Sequence, residues 1–209
     1  MEAVEIAAQN SVHFSISGET HAHAAEREAL LDRAMGLKWK KKSSQKLRRG
    51  RRPSEGLAFV ARDASSGAIV GTVRLWDVSF AQEISPLEGE IAARQPEGVR
   101  AAALLLGPLA VDPSLKSAGI GKALLSHAIS EATRLGHRAI LLVGDAPYYA
   151  RFGFSAEKTG RLSMPGPYER HRFLALELVP GALDNAAGTL KPAGRKAKAA
   201  ATGARKKAA

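Results

Sequence analysis

"SLKSAGIGKALL", Ser114 to Leu125, joins an apolar run to the most regular helical pattern in the chain, and its glycines and lysines mark it as a loop for a negatively charged ligand. Two familiar phosphate loops are excluded by spacing. A nucleoside-triphosphate loop ending at Gly121-Lys122 needs glycine at position 116 and a hydroxyl at position 123, where the chain has Lys116 and Ala123. A dinucleotide fingerprint begun at Gly119 and Gly121 needs a third glycine where Leu124 stands. What remains is a strand ending at Val111, a loop holding Gly119 and Gly121, and a long helix that starts inside it. Backbone N–H groups and the helix dipole then form the anion site. Lys116 and Lys122 add charge, and a Cβ at the glycines would hold a ligand off the amides.

The flanking segments agree with that placement. "AAALLLGPLAV" is a buried strand, too short to span a bilayer. In "IGKALLSHAISEATRLG" the residues Ile120, Leu124, Leu125, Ala128, Ile129, Ala132 and Leu135 share one helical face, and Gly136 closes it. "HRAILLV" follows as a buried strand, and a right-handed crossover makes the two strands parallel. Upstream, "VHFSIS" alternates as a strand, and "THAHAAEREALLDRAMG" is a helix capped by Thr20 and stopped by Gly36. "LKWKKKSSQKLRRGRRP" is a basic helix or loop, "GLAFVARD" and "AIVGTVRLWDV" are hairpin strands, and "FAQEISPLEGEIAARQPEGVR" is a surface excursion. Downstream, "YYARFGF" is a short helix and turn and "RFLALEL" a final strand. From Asp184 the chain is rich in Ala, Lys and Gly and is expected to be a disordered basic tail.

Composition narrows the chemistry further. The 209 residues include no cysteine, which excludes disulfides, thiolate metal sites and a cysteine acyl-enzyme. The start "MEAVEIAAQN" lacks the basic and apolar pattern of a signal peptide, so a cytoplasmic location is expected and no membrane partner. Of the net charge of +11, residues Lys38–Arg52 carry +9 and residues 184–209 carry +6, so the remainder is acidic. Two basic appendages on an acidic globule suit attraction to phosphate-rich partners.

"LGPLAVDPSLKSAGIGKALL" followed by "APYYARFGF" resembles the two central motifs of the GNAT superfamily of acetyl-CoA-dependent N-acetyltransferases. With "FVAR", "IVGTVRLWDV" and "PGPYERHRFLALEL", the likeness is greatest to the YhbS-like bacterial branch and runs over roughly Val12 to Leu183. It implies an α/β fold, a GNAT-like domain over residues 1–183 with a mixed sheet whose central parallel strands splay, and the tail over 184–209. It also implies acetyl-CoA between those strands, with the pantetheine arm on Leu109 and Val111. The pyrophosphate would sit on Lys116, Ser117, Ala118, Gly119, Ile120 and Gly121, beside Lys122. The family's loop usually opens with Gln or Arg and often has a basic residue before its first glycine; Lys116 and Ala118 stand there, which leaves more of the holding to backbone amides.

Acetyl transfer needs a neutral amine, a polarised thioester carbonyl and an acid for the leaving thiolate. The Val111 N–H suits the second task. Tyr149, four residues before Gly153, matches the family's tyrosine, and a phenol with an ordinary pKa near ~10 is protonated at neutral pH. Tyr148 is its competitor. The base candidates are Asp77, Glu83, Glu169 and His171, or a water chain, and the sequence does not choose among them. His21 and His23 lack a third ligand nearby, so no metal is expected. The acceptor is an unidentified amine, small or on a protein. The alternative function is a nucleic-acid-associated binding protein that uses Lys38–Arg52 and the tail, with acetyl-CoA vestigial or regulatory. In a third reading the same basic segments target the transferase.

Overall fold

Strand β3 (Ile69–Gln82), the longest, is the spine of an eight-stranded mixed sheet in the computed structural model, which describes residues 12–82 and 101–197. On one edge of β3, strand β2 (Ala58–Asp63) pairs with its first part and β8 (Ala186–Pro192) with its end. Along the other edge runs β4 (Ala101–Val111), antiparallel to it. Outside β2 lies β1 (Phe14–Gly18). Beyond β4 come β5 (Ala139–Val143), parallel to it, and then β7 (Phe173–Glu177), while the two-residue β6 (Leu162–Ser163) pairs with β8.

The faces of this sheet follow from the two-residue period of the strands. Val73, Leu75, Leu104, Leu106, Ile140 and Leu142 point to one side, where Ile120, Leu124 and Leu125 of helix α3 (Ile120–Arg134) cover them. Trp76, Val78, Phe80, Leu105, Leu141 and Phe173 point to the other, packed by Leu47 of the short helix α2 (Ser44–Arg48) and by Leu190 of β8. Helix α1 (Ala24–Met35) seals the same side further along, with Leu30 on Val60 and Ile69, and Leu31 on Trp39 and Ala110. Each of these leucines stabilises the fold by roughly 1.5–3 kcal/mol. The last helix, α4 (Ala146–Ala150), carries the Tyr-Tyr pair.

Two expectations are corrected. Residues 186–192 do not belong to a disordered tail: Leu183, Ala186 and Leu190 are buried, and β8 supplies the strand that β2 leaves missing at the end of β3. An unpaired edge next to apolar positions is enough to recruit a segment whose average composition looks featureless. The chain then runs back to the basic segment, where Arg52 N–H donates to Arg195 O (2.8 Å), Ala197 N–H to Gly50 O (2.9 Å) and Arg51 Nη1 to Gly194 O (2.7 Å). Residues 198–209, the rest of the expected tail, lie outside the described residues. Likewise Phe80–Gln82 extend β3 instead of opening the surface excursion, most of which, with Glu83, also lies outside them.

Candidate active site

Strands β4 and β5 pair only at Leu104 with Ile140 and Leu105 with Leu141, after which they part. The divergence begins where β3 meets β4 irregularly: Leu75 faces Leu106 and Val73 faces Leu109, so Arg74 stands against both Gly107 and Pro108. Two residues against one bend a strand and increase its twist. Gly107 has φ +131°, a conformation open to glycine, and its carbonyl accepts the Trp76 indole N–H at 2.6 Å. Past the bulge, Asp112 N–H donates to Val70 O at 2.8 Å. Successive amides in a strand point to opposite edges, so the N–H groups of Leu109 and Val111 face away from β3 into the gap.

The loop after β4 is tied down at its start. The Asp112 carboxylate accepts from Ser114 N–H (3.1 Å), Ser114 Oγ–H (2.8 Å) and Arg33 Nη2 (3.0 Å), and these bonds, the Ser114 ones foremost, hold its pKa below the ordinary value. Ser117 and Gly119 both have left-handed φ, +69° and +78°. A Cβ on Gly119 would touch nothing, so that glycine serves backbone conformation. Gly121 serves space: a Cβ there would lie 3.1 Å from the Tyr148 hydroxyl and 3.5 Å from Val111 Cγ2. The first bond of α3 runs from Ala123 N–H to Gly119 O, leaving the amides of Ile120, Gly121 and Lys122 as the helix's uncommitted donors. Lys116 and Lys122 are exposed beside them, Ser117 is exposed, Ala118 is half-buried, and the Ile120 side chain is in the core.

Gly71, which no sequence motif picks out, sets how near this helix comes to the sheet. A Cβ on it would fall 2.7 Å from Leu124 Cδ1 and 2.8 Å from Ile120 Cγ2. A glycine inside a strand pattern is the sequence signal for such a close approach.

The two tyrosines of α4 part company. Tyr148 is half-buried, with the Arg151 guanidinium 4.7 Å from its ring centre, and its hydroxyl reaches the start of α3. Tyr149 turns to β5: its ring fills the place of a Cβ on Gly144 and meets Phe154 edge-on at 5.8 Å between ring centres. Burial first, then Tyr148, push its phenol up to about 12, with Arg172 opposing and Asp145 adding the least. It is a protonated donor throughout the neutral range.

The base candidates scatter. Asp77 accepts from Ser54 Oγ at 2.8 Å, and Glu169 is exposed, 3.5 Å from both Arg172 and His171. His23 accepts the Thr20 N–H at 3.1 Å through Nδ1, a helix cap. Among the described residues no three potential metal ligands cluster, and no helix is long and apolar enough to cross a membrane.

A family model described as an acetyltransferase (GNAT) domain matches residues 54–156, which contain the bulge, the loop, α3 and both tyrosines. The chain belongs to the GNAT superfamily. The GNAT fold is matched by the Escherichia coli GNAT family N-acetyltransferase YhbS, solved with CoA, at 23% identity, a TM-score of 0.68 and coverage of 88% of this chain and 92% of that one. A GNAT family acetyltransferase from Brucella melitensis, solved with acetyl-CoA, matches at 23% identity and TM-score 0.54 over 80% of this chain and 90% of its own. A GNAT family acetyltransferase from Staphylococcus aureus matches at 18% identity and TM-score 0.50, covering 79% and 99%. No curated protein sequence matches the chain.

Proposed function

We propose that this GNAT protein is an acetyl-CoA-dependent N-acetyltransferase that moves the acetyl group directly to an amine. The observation that carries the reading is the open edge of β4, whose Leu109 and Val111 amides lead into the glycine-bearing start of α3. The bare backbone at Gly121 and the free amides of Ile120, Gly121 and Lys122 fit a pyrophosphate, with Lys116, Ser117, Ala118 and Gly119 completing the loop. CoA in the E. coli relative and acetyl-CoA in the Brucella relative support the same donor here.

The reaction forms an amide C–N bond and breaks the thioester C–S bond. The Val111 N–H donates to the carbonyl oxygen as negative charge develops there. The Tyr149 O–H passes its proton to the departing thiolate and regains one from solvent, while the acceptor nitrogen's proton leaves through water. Acetyl-CoA is a cytoplasmic metabolite, which supports a cytoplasmic location, with the transferase formed by residues up to about 197 and not 183.

One observation favours a second reading. The lacing of Gly50–Arg52 to Gly194–Ala197 gathers basic residues of both appendages at one place, where weak association with nucleic acid would follow. Isothermal titration with acetyl-CoA separates the two. Micromolar binding by the wild type and Tyr149→Phe, lost in Gly119→Val, is expected for the transferase; no binding by the wild type would leave nucleic acid as the first ligand to test.

A further inference from the structure

Three arginines are turned inward on the α1 and α2 side of the sheet, and they are treated unequally. Arg27 and Arg74 share the Glu19 carboxylate, Arg74 through Nε at 2.6 Å. Arg48 is 6% exposed, yet no carboxylate among the described residues pairs with it. Its bonds stay within its own helix, Nε to Ser44 O (3.3 Å) and Nη2 to Ser44 Oγ (2.9 Å). Burial and the nearby Arg74 charge draw its pKa down to about 10, so it remains a cation at neutral pH. A buried guanidinium without an anion is costly to keep unless a ligand supplies one.

The uncommitted Nη1 lies 3.8 Å from the place of a Cβ on Gly107, at the bulge where β4 leaves β5 and two residues before Leu109. It lines a recess of about 120 Å³ whose walls include Trp39, Trp76, Pro108, Arg74 and Glu28. Gln45 also lines it, and several of the other polar groups there are already engaged. Trp39 Nε1 donates to Asp32 (2.8 Å), Trp76 Nε1 to Gly107 O, and Glu28 is held by Arg27 (2.9 Å) and Lys40 (3.3 Å). Positive charge continues along this side, since Lys42 is pulled below the ordinary lysine value by burial and then by Arg172 and Arg48. Such a space takes a carboxylate on a short aliphatic arm and is too small for a nucleotide.

We propose that the acceptor is a small amine carrying a carboxylate, which the fork of Arg48 binds in the recess beside Gly107 and Pro108. This rests on the transferase reading and names its acceptor class. A planar guanidinium meets a carboxylate with two parallel hydrogen bonds, and inorganic phosphate, which Arg can also grip in this way, is the competitor that the test includes. The same cations disfavour an ammonium ion nearby, so they lower the acceptor nitrogen's pKa and help deliver it neutral.

The chain has two tryptophans, Trp39 and Trp76, and both line the recess, so intrinsic fluorescence reports its occupancy. The full chain is titrated with glycine and glycinamide, β-alanine and β-alaninamide, and inorganic phosphate, in wild type, Arg48→Met and Arg48→Lys. Saturable response to the acids, roughly ten- to hundredfold weaker for the amides and for Arg48→Met, is expected, with Arg48→Lys between. Equal response to acid and amide, unchanged affinity in Arg48→Met, or tighter binding of phosphate than of the acids would overturn it. Acetyl-CoA titration of the same samples is a separate readout: its failure removes the transferase and leaves the carboxylate site to stand or fall by fluorescence.

Discussion

The Tyr148 hydroxyl stands 3.1 Å from where a Cβ on Gly121 would be, so α4 and the first turn of α3 meet across the mouth of the gap with no side chain between them. Gly121→Ala places a methyl group there and crowds both the phenol and the amides. Calorimetry should show acetyl-CoA affinity falling about tenfold, or ~1.4 kcal/mol. Adding Tyr148→Ala to Gly121→Ala should restore part of the loss; if it restores none, the crowding is not with Tyr148.

Tyr149→Phe should lower kcat by about 10²–10⁴ and leave the acetyl-CoA dissociation constant within a few-fold. An equal effect on both would make Tyr149 a packing residue beside Gly144 and Phe154.

Its alkaline behaviour follows from the phenol at about 12. The native state keeps a proton that the unfolded chain releases near pH 10, so Tyr149 contributes stability below about pH 10 that is lost as pH rises through 12. Denaturant midpoints should therefore fall across that window in the wild type, and less in Tyr149→Phe. A descending kcat limb below pH 10 that disappears in Tyr149→Phe would contradict the assignment.

Gly71→Ala should overpack the contact with Ile120 and Leu124 and cost about 1–3 kcal/mol, read as a lower Tm. Because those residues open α3, acetyl-CoA affinity should fall with it.

Leu190→Ala removes a side chain that is 1% exposed and should destabilise the fold by about 2–5 kcal/mol. Deleting everything after residue 183 should abolish cooperative unfolding. Wild-type Tm in that truncated chain would mean that β8 is not part of the structure in solution.

The strand, helix and strand around residues 101–143 were legible because each repeats its apolar residues at its own period, and the loop between them could be narrowed by elimination. The helix pattern of α3 named its buried face correctly through Ala132, though Leu135 emerges 42% exposed beyond the helix end. β8 was hidden because composition averaged over a long basic stretch conceals two apolar residues, Ala186 and Leu190, that matter only beside a waiting strand edge. Arg48 was hidden for a related reason. A run of nine basic residues reads as a solvated face, and nothing local shows that one of them turns inward. Gly71 needed the tertiary neighbour that explains it. Of the two tyrosines, spacing favoured Tyr149 for chemistry, while only the packing shows that Tyr148 is the one touching the phosphate-type loop.

The backbone lacing between Gly50–Arg52 and Gly194–Ala197 makes the fold itself hold like charges together, against a repulsion that the exposed Arg195–Glu55 pair at 3.3 Å relieves only in part. Counterions should then act as part of the structure. Raising ionic strength from low salt would raise Tm by screening that repulsion, opposite to what a surface knit by ion pairs would do, and a bound polyanion would serve as the permanent form of the same screen.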